Sequence, residues 1–249
     1  MERALEGRVA LVTGAGQGAG EGIARQLTAE GARVAVVGRT LSKLERVQRE
    51  IEGDGGEAIS VRCDVGDPDA IVQTVETVVA ALGTVDILVN VAHHDVRAGR
   101  LLEMAEADID ANWRTGPLAT LRFMRACHRH LSGGGVVVNT GSGAMYQPEG
   151  YGVYAAAKEG IGAITRAAAH EWGPDGIRAH LVVPLTVSPS FDADMSDPVR
   201  RAEVLATIPL GRFSQPDDVG RVVCFLAGPS AEFLTGQTLI VDGGRRSMR

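Results

Sequence analysis

Seven short runs of β-branched and aliphatic residues recur along this chain of 249 residues, and they constrain its fold more than any other feature. The runs are Val9–Val12, Val34–Val37, Ile59–Val61, Ile87–Val89, Val136–Val138, Leu181–Val183 and Leu239–Val241. Longer amphipathic or alanine-rich segments separate most of them, so strands should alternate with helices. Because strands that are apolar on both faces need helices on both sides, the sequence predicts an α/β fold with a doubly wound, mostly parallel, seven-stranded sheet.

The composition bounds the domain organisation and the class of partner. No Pro/Ser-rich linker, charge block or repeat divides the chain, so we expect one domain over residues 1–249. The length alone would also allow two domains, but no linker supports that division. The formal net charge is −6 and the basic residues are dispersed. This pattern argues against nucleic acid or a membrane surface as partner and favours a small molecule.

Cysteine usage and hydropathy exclude further classes. The three cysteines, Cys63, Cys127 and Cys224, are odd in number and far apart, which predicts free thiols without a disulfide framework or a zinc site. His93, His94 and Asp95 match no metal-binding motif, so no metal is expected, and His180 is assigned a structural role. Since the amino end lacks an apolar signal core and no segment approaches ~20 apolar residues, we expect a cytoplasmic protein.

Four segments rich in glycine or polar residues each follow a predicted strand. They are Gly14–Gly20, Asn90–His93, Gly141–Ser142 and Pro184–Val187. In doubly wound sheets, ligands bind beyond the carboxyl ends of the strands, where the strand order reverses. The four segments should therefore face one cleft. Residues 188–207, which carry prolines and several acids, are predicted to form a mobile cover over it.

Tyr154 and Lys158 stand four residues apart in an alanine-rich stretch, Tyr151 to Trp172, that is predicted to be one helix. Both side chains should therefore project from the same helix face. A neighbouring ammonium favours the phenolate and should lower the pKa of the tyrosine toward the working pH. Tyr154 is thus a candidate general acid and base. The alternative is that neither residue is catalytic, with Tyr154 a partly buried tyrosine and Lys158 a solvated lysine.

The segment Thr13–Gly20 reads Thr-Gly-Ala-Gly-Gln-Gly-Ala-Gly and lies between the first predicted strand and a helical pattern. Its glycines would let the backbone approach a pyrophosphate closely, and the N–H groups at the following helix start would favour its charge. Glycine-rich turns that bind no ligand are also common, so the motif gains weight only from its context.

Together these motifs closely resemble the short-chain dehydrogenase/reductase family in its compact one-domain form, over nearly the whole chain. The resemblance is carried by Gly14-xxx-Gly18-x-Gly20, Asn112, Ser142, Tyr154-xxx-Lys158 and the ending Gly236-Gln237 to Gly243-Gly244. It implies a Rossmann-like fold and a symmetric homodimer or homotetramer.

The same resemblance implies roles for four catalytic residues. Tyr154 would be the general acid in carbonyl reduction, and Lys158 would lower its pKa and hold the nicotinamide ribose. Ser142 would hydrogen-bond the reacting oxygen, where charge develops. Asn112, within the helical stretch Ala105 to Leu131, would steady a water for proton relay.

A nicotinamide cofactor follows from the resemblance. Its contacts would be Gly14, Gln17, Gly18, Ala19, Gly20, Arg39, Asp64, Val65, Asn90, Ala92, Tyr154, Lys158 and Val187. Gly38 stands where an acid would grip the ribose 2′-hydroxyl of NAD, and Arg39 could pair with a 2′-phosphate, so NADP(H) is favoured over NAD(H). Gln17 adds no second charge, and Arg39 could instead be an ordinary surface residue.

Two segments depart from the family pattern. Asn90-Val91-Ala92-His93 replaces the usual Asn-Asn-Ala-Gly, so Val91 cannot cross-link strands through an amide. His93 is a candidate substrate-contacting residue that shapes substrate choice; the alternative is a histidine turned to solvent. After the sixth strand, Leu185 replaces a glycine and Pro189 falls where a threonine usually helps hold the carboxamide. Ser190 could substitute, and Val187 could still offer backbone groups.

These features favour an oxidoreductase that transfers a hydride between NADP(H) and a secondary alcohol or ketone. The alternative is a catalytically weak cofactor-binding sensor or regulatory protein, inactivated by the altered segments. A dehydratase or epimerase is disfavoured by chain length and glycine spacing. The substrate itself stays open.

Overall fold

The computed structural model describes residues 3–94, 98–187, 191–192 and 195–246, and its centre is one parallel sheet of seven strands. The strands are β1 (Val9–Thr13), β2 (Arg33–Gly38), β3 (Ala58–Arg62), β4 (Ile87–Asn90), β5 (Val136–Thr140), β6 (Arg178–Pro184) and β7 (Thr238–Val241). Their order is β3-β2-β1-β4-β5-β6-β7. Each predicted run lies within one strand, so the predicted doubly wound fold is confirmed.

Alternate residues of each strand feed two separate cores because strand side chains point to opposite faces. On one face, Ala10 and Val12 pack in a cluster with Ile23 and Leu27. On the other face, Val9 and Leu11 belong to a second cluster, together with Phe123 and other helix residues. The sheet is therefore covered on both sides, in a single domain.

Eight α-helices cover the two faces within the described part of the chain. They are α1 (Gly18–Ala29), α2 (Leu41–Gly53), α3 (Pro68–Leu82), α4 (Glu106–Trp113), α5 (Ala119–Leu131), α6 (Gly152–Glu171), α7 (Pro198–Ala206) and α8 (Pro216–Ala227). Helix α6 matches the predicted Tyr151–Trp172 to within one residue at each end.

The predicted helical stretch Ala105 to Leu131 is helical from Glu106 to Leu131, but it is not one regular helix. A π-helical segment, Arg114–Leu118, separates α4 from α5. It contains Pro117, which has no N–H to donate to the carbonyl four residues earlier, so the regular hydrogen-bond ladder is broken there. This segment places Asn112, at the end of α4, and Thr115 beside the loop that follows β4.

Helices α1 and α8 cross with their backbones in direct contact. A side chain at Gly22 would overlap Pro216, and one at Gly220 would lie 2.7 Å from the Gly22 carbonyl oxygen. Only glycine allows this approach. The helix that follows the glycine turn is thereby locked to α8.

The predicted cover, residues 188–207, is partly visible. Ser188, Pro189, Ser190, Ala193 and Asp194 lie outside the described residues, so the predictions for Pro189 and Ser190 have no structural counterpart. The remainder contains α7, which begins at Pro198. Asp197 caps this helix by accepting a hydrogen bond from the Val199 amide at 2.9 Å. Mobility of this segment stays a prediction.

Two further expectations can be compared with the structure. Cys63, Cys127 and Cys224 are buried and free. No helix in the described part of the chain is both long and apolar enough to cross a membrane.

Candidate active site

A cavity of about 1280 Å³ opens at the carboxyl ends of the strands. The order of the sheet reverses between β1 and β4, and the loops after these two strands meet there. Residues from all four predicted segments line this cavity, including Gly14, Ala92, His93, Ser142 and Leu185. The predicted convergence on one cleft is confirmed.

The glycine turn is held against the loop after β4. Gly14 has a φ of 68°, a conformation that side chains disfavour, and a Cβ there would lie 2.9 Å from the Ala92 amide nitrogen. The Thr13 hydroxyl accepts hydrogen bonds from the amides of Val91 at 3.0 Å and Ala92 at 3.1 Å. These contacts fix the two loops that form the crevice.

The start of α1 has the properties of an anion site. Gln17 is the N-cap residue but makes no side-chain capping hydrogen bond, and the first N–H groups of a helix have no partner within it. A side chain at Gly20 would overlap the Gly14 carbonyl group, so the turn can close only on glycine. This end of the cavity fits the pyrophosphate of a dinucleotide.

Arg46 braces the same turn from α2. Its guanidinium donates to the Gly16 carbonyl oxygen at 3.1 Å and to Glu21 at 2.7 Å, and it also pairs with Glu50 at 2.8 Å. These bonds raise the pKa of Arg46 further above its already high value. Sequence reasoning missed this support because it depends on the packing of α2 beside the turn.

At the end of β2, two cations border the cavity. Arg39 is exposed and has no hydrogen bond or ion pair with any described residue, whereas Lys43 donates to the Gln17 side chain. Lys43 was missed, although its place in the first turn of α2, four residues after Arg39, was a readable signal. Asp64 and Val65 line the cavity nearby, and the Asp64 carboxylate accepts from the Gly66 amide at 2.9 Å.

Tyr154 and Ser142 meet in the middle of the cavity. The Ser142 hydroxyl hydrogen-bonds the phenol and lowers its pKa, but burial has the larger effect and raises the pKa of Tyr154 above its usual value of 10.0. The expectation that Lys158 lowers this pKa was wrong. Burial raises the pKa of the phenol, and the hydrogen bond that opposes this effect comes from Ser142, not from Lys158.

Lys158 lies one turn further along α6 and is buried, with 3% of its surface exposed. Its ammonium donates to the Thr140 carbonyl oxygen at 2.9 Å and lies 5.8 Å from the centre of the Tyr154 ring. Burial lowers the pKa of Lys158 to about 7. The lysine can therefore gain or lose a proton near neutrality, and its charge beside Tyr154 is weaker than that of an ordinary lysine.

Half-buried His93 and buried Asn112 form a hydrogen-bonded pair against the Tyr154 ring. Asn112 donates through Nδ2 to the Asp108 carbonyl oxygen at 2.8 Å, so its Oδ1 accepts from His93 Nε2 at 3.1 Å. His93 Nδ1 is then an acceptor, buried without a partner among the described residues. The rings of His93 and Tyr154 pack edge to face with centres 5.0 Å apart. Burial, followed by repulsion from Lys158, lowers the pKa of His93 to about 3.

Gly116, in the π-helical segment, provides the space that His93 needs. A Cβ at Gly116 would lie 2.5 Å from Cε1 of the imidazole. The departure at position 93 is thus accommodated by a glycine on another element. Both polar atoms of the Asn112 side chain are engaged, one of them by His93, which is the residue that departs from the family pattern.

Other contacts compensate for Val91 and restrict Val187. Asn90 donates to the Asn139 side chain at 2.9 Å, and Asn139 donates to the Thr165 hydroxyl at 2.9 Å, so amides still link β4, β5 and α6. The Val187 amide already donates to the Ser214 carbonyl oxygen at 3.1 Å. Only its carbonyl group is left to meet a carboxamide.

The structure also bears on the predictions for His180 and for a metal site. His180 is fully buried in β6, outside the residues that line the cavity, as expected of a structural residue. Within the described ranges, no three His, Cys, Asp or Glu side chains cluster as metal ligands.

Comparison with known proteins decides the family. A short-chain dehydrogenase from Burkholderia cenocepacia, solved in complex with NADP, superposes with a TM-score of 0.91 at 34% identity, over 98% of this chain and all of the other. A family model described as enoyl-(acyl carrier protein) reductase matches residues 14–246. The chain is a short-chain dehydrogenase/reductase.

Relatives of this short-chain dehydrogenase/reductase act on different substrates. A 12alpha-hydroxysteroid dehydrogenase from a Clostridium species is 34% identical over 96% of this chain and 97% of its own length. A 3-ketoacyl-(acyl-carrier-protein) reductase from Brucella melitensis, solved with NADH, has a TM-score of 0.90 at 32% identity, covering 97% of this chain and 99% of the other. The chain is an NAD(P)-dependent oxidoreductase, and a nicotinamide dinucleotide fits the crevice described above.

Proposed function

We propose that this enzyme interconverts a secondary alcohol and a ketone, with NADP(H) as its cofactor and Tyr154 as its general acid and base. One observation carries the proposal. The hydrogen-bonded pair of Tyr154 and Ser142 opens onto the same cavity as the glycine turn at Gly14, with Lys158 buried directly behind the phenol. When bound, the cofactor supplies or accepts the hydride, and the protein handles the proton and the oxygen.

The proton chemistry follows from the positions of these side chains. In the reducing direction, the substrate oxygen accepts hydrogen bonds from Ser142 and Tyr154, and Tyr154 gives up its proton as the carbonyl becomes an alkoxide. The phenolate that forms is stabilised by the Ser142 hydroxyl and by protonated Lys158. Because burial brings the pKa of Lys158 to about 7, this lysine can hold or release a proton at working pH.

The preference for NADP(H) is supported by charge at the end of β2. Arg39 and Lys43 both border the cavity, and no carboxylate replaces Gly38. A 2′-phosphate would thus meet two cations there, where a ribose hydroxyl would find no acidic partner. A KM for NADPH well below that for NADH would support this assignment. A clear preference for NADH would refute it.

The catalytic assignment is tested by Tyr154→Phe. Loss of the hydroxyl should lower kcat by at least ~10², the effect of a positioned acid or base, with little change in NADPH affinity measured by fluorescence titration. Tyr146→Phe is the matched control, since Tyr146 is a nearby tyrosine outside the cavity lining. Unchanged turnover in Tyr154→Phe would exclude the proposed role.

The alternative of a sensor without turnover has no support in these comparisons, because the named relatives are dehydrogenases and reductases. A panel of ketones and alcohols with both cofactors would still separate the two. A sensor would bind NADPH and consume none of it.

His93 is proposed to shape substrate choice. Its ring fills space between Gly116 and Tyr154, where a glycine would leave the pocket wider. His93→Gly should therefore extend activity toward bulkier ketones. An unchanged ratio of kcat/KM between bulky and small ketones would contradict this role.

A homodimer or homotetramer is proposed from the family resemblance and from apolar side chains that are exposed on the helices. Trp113 and Leu118 are 42% and 43% exposed beside α4, and Phe225 on α8 is 44% exposed. Light scattering coupled to size exclusion would give the mass directly. A monomer at micromolar concentration would exclude the assembly.

A further inference from the structure

The charge on the wall of the active-site cavity opposes the charge of the whole chain. The chain carries a formal net charge of −6, yet five basic side chains and only two carboxylates line the cavity in its described part. The basic residues are Arg39, Lys43, Arg200, Arg245 and Arg246, and the acids are Asp64 and Glu149. Arg39 and Lys43 belong to the cofactor end. Arg200 stands on α7, whereas Arg245 and Arg246 follow β7.

Arg246 lies against the loop that carries Ser142. A side chain at Gly143, the next residue, would overlap Nη1 of Arg246, so this glycine leaves room for the guanidinium beside the catalytic serine. Nη2 donates to the Gln147 side chain at 2.9 Å. Nε is buried and has no hydrogen-bond partner among the described residues. The guanidinium is thus held in place while part of its donor capacity is unused.

The backbone around Arg246 is fixed by a buried carboxylate. Asp242, 4% exposed, accepts from the Gly244 amide at 3.0 Å and from the Arg246 amide at 2.9 Å. Its charge favours the cationic form of Arg246, but burial and repulsion from Arg245 act more strongly and lower the pKa of Arg246. The two guanidinium groups are therefore close enough to repel each other, and Asp242 does not fully compensate them.

Two further charged side chains line the described part of the cavity wall. They are Arg200, which stands on α7, and Glu149. Glu149 is exposed, so water screens its charge. An anion entering beside Ser142 would relieve the repulsion between Arg245 and Arg246 and would accept a charge-assisted hydrogen bond from the terminal nitrogens of Arg246.

We infer that the ketone substrate carries an anionic group, a carboxylate or a phosphate, which Arg246 binds beside Ser142 with Arg245 adding positive charge. The inference rests on the proposed ketone reduction and narrows its substrate class. Because Arg246 contacts the residue next to Ser142, the anionic group lies only a few bonds from the reacting carbonyl. Short oxo acids fit this arrangement, whereas a neutral ketone would leave the guanidinium groups facing each other.

Matched pairs of acid and ester test the inference. Acetoacetate is compared with methyl acetoacetate, and acetonylphosphonate with its dimethyl ester, by following NADPH consumption. The acid should be preferred by about 10- to 100-fold in kcat/KM, the range of a hydrogen bond to a charged group. Which acid is preferred distinguishes a carboxylate from a phosphate site.

Variants then assign the preference to Arg246. Arg246→Gln should abolish the preference by lowering kcat/KM for the acid far more than for the ester, and Arg246→Lys should retain part of the preference. Arg49→Gln is the matched control, because Arg49 is exposed on α2 and lies outside the cavity lining. Should Arg246→Gln fail to fold, salt gives a second test on the native enzyme. Raising ionic strength from about 0.05 M to about 0.5 M should lower kcat/KM for the acid and not for the ester.

A binding measurement separates this inference from the proposed function. In the complex with NADP⁺, where acetoacetate cannot react, the acid should raise the Tm of the native protein and not that of Arg246→Gln. Equal kcat/KM for acid and ester, with turnover of both, would overturn the anionic substrate and leave ketone reduction intact. Arg246-dependent binding of the acid without turnover of any ketone would refute ketone reduction and leave the anion site intact. If the acid does not bind and no ketone is turned over, both claims are refuted.

Discussion

Replacing His93 by glutamine should make the protein more resistant to acid. The imidazole is half-buried with its Nδ1 fully buried, and its pKa is lowered to about 3, whereas an unfolded histidine titrates near 6.5. As the pH falls below 6.5, the unfolded chain therefore binds a proton that the folded protein does not. The free energy of unfolding decreases through this window and reaches its full loss only near the folded pKa.

The size of the effect follows from the two pKa values. Between pH 7 and pH 5, His93 alone should lower the free energy of unfolding by about 2 kcal/mol. His93→Gln removes this loss because glutamine does not titrate, while its amide can still donate to the Asn112 oxygen. Other titrating groups, such as His180, whose pKa is also lowered, contribute equally to both proteins and cancel.

Urea unfolding of both proteins at pH 7 and pH 5, without cofactor, measures the difference directly. The free-energy loss between the two pH values should be about 2 kcal/mol larger in the native protein than in the variant. Nitrogen-15 spectra of the side chain should show a neutral ring protonated on Nε2 at pH 5. Equal losses in both proteins, or a His93 titration near pH 6.5, would refute the buried neutral pair with Asn112.

Three further outcomes are expected. Lys43→Gln should raise KM for NADPH several-fold and leave KM for NADH unchanged, because its charge would face only the 2′-phosphate; equal changes would argue against that contact. Gly20→Ala should cost about 1–3 kcal/mol in urea unfolding and weaken cofactor binding, since the methyl group overlaps backbone, whereas Gly53→Ala, which meets no neighbour, should be neutral or slightly stabilising. Gly116→Ala should destabilise the protein through the His93 ring, and His93→Gly should rescue it; additive losses in the double variant would contradict their contact.

The fold could be predicted from the sequence because each strand has a recognisable local pattern. Each strand is a run of β-branched residues buried on both faces, and such runs require helices on both sides of the sheet. The motif residues Gly14, Ser142 and Tyr154 were predictable for the same reason, since each follows a strand or begins a helix at a fixed place in the sheet.

The pKa values of the catalytic side chains could not be predicted from the sequence, because they depend on burial and charge in the folded protein. The pKa of Tyr154 rises because the phenol is enclosed, and the pKa of Lys158 falls for the same reason. The partnership of His93 with Gly116 depends on a π-helical segment that no local pattern predicts. Arg246 reaches the Ser142 loop across nearly a hundred residues of chain, a contact that only the folded protein reveals.

Helices α1 and α8 touch backbone to backbone at Gly22 and Gly220, so neither can slide without the other. The glycine turn lies just before α1. Ser214 lies just before α8, at the same end of this pair, and accepts from the Val187 amide next to the predicted cover. A shift of the glycine turn should therefore also move the residue that anchors Val187. On this basis we expect the dinucleotide to bind before the substrate.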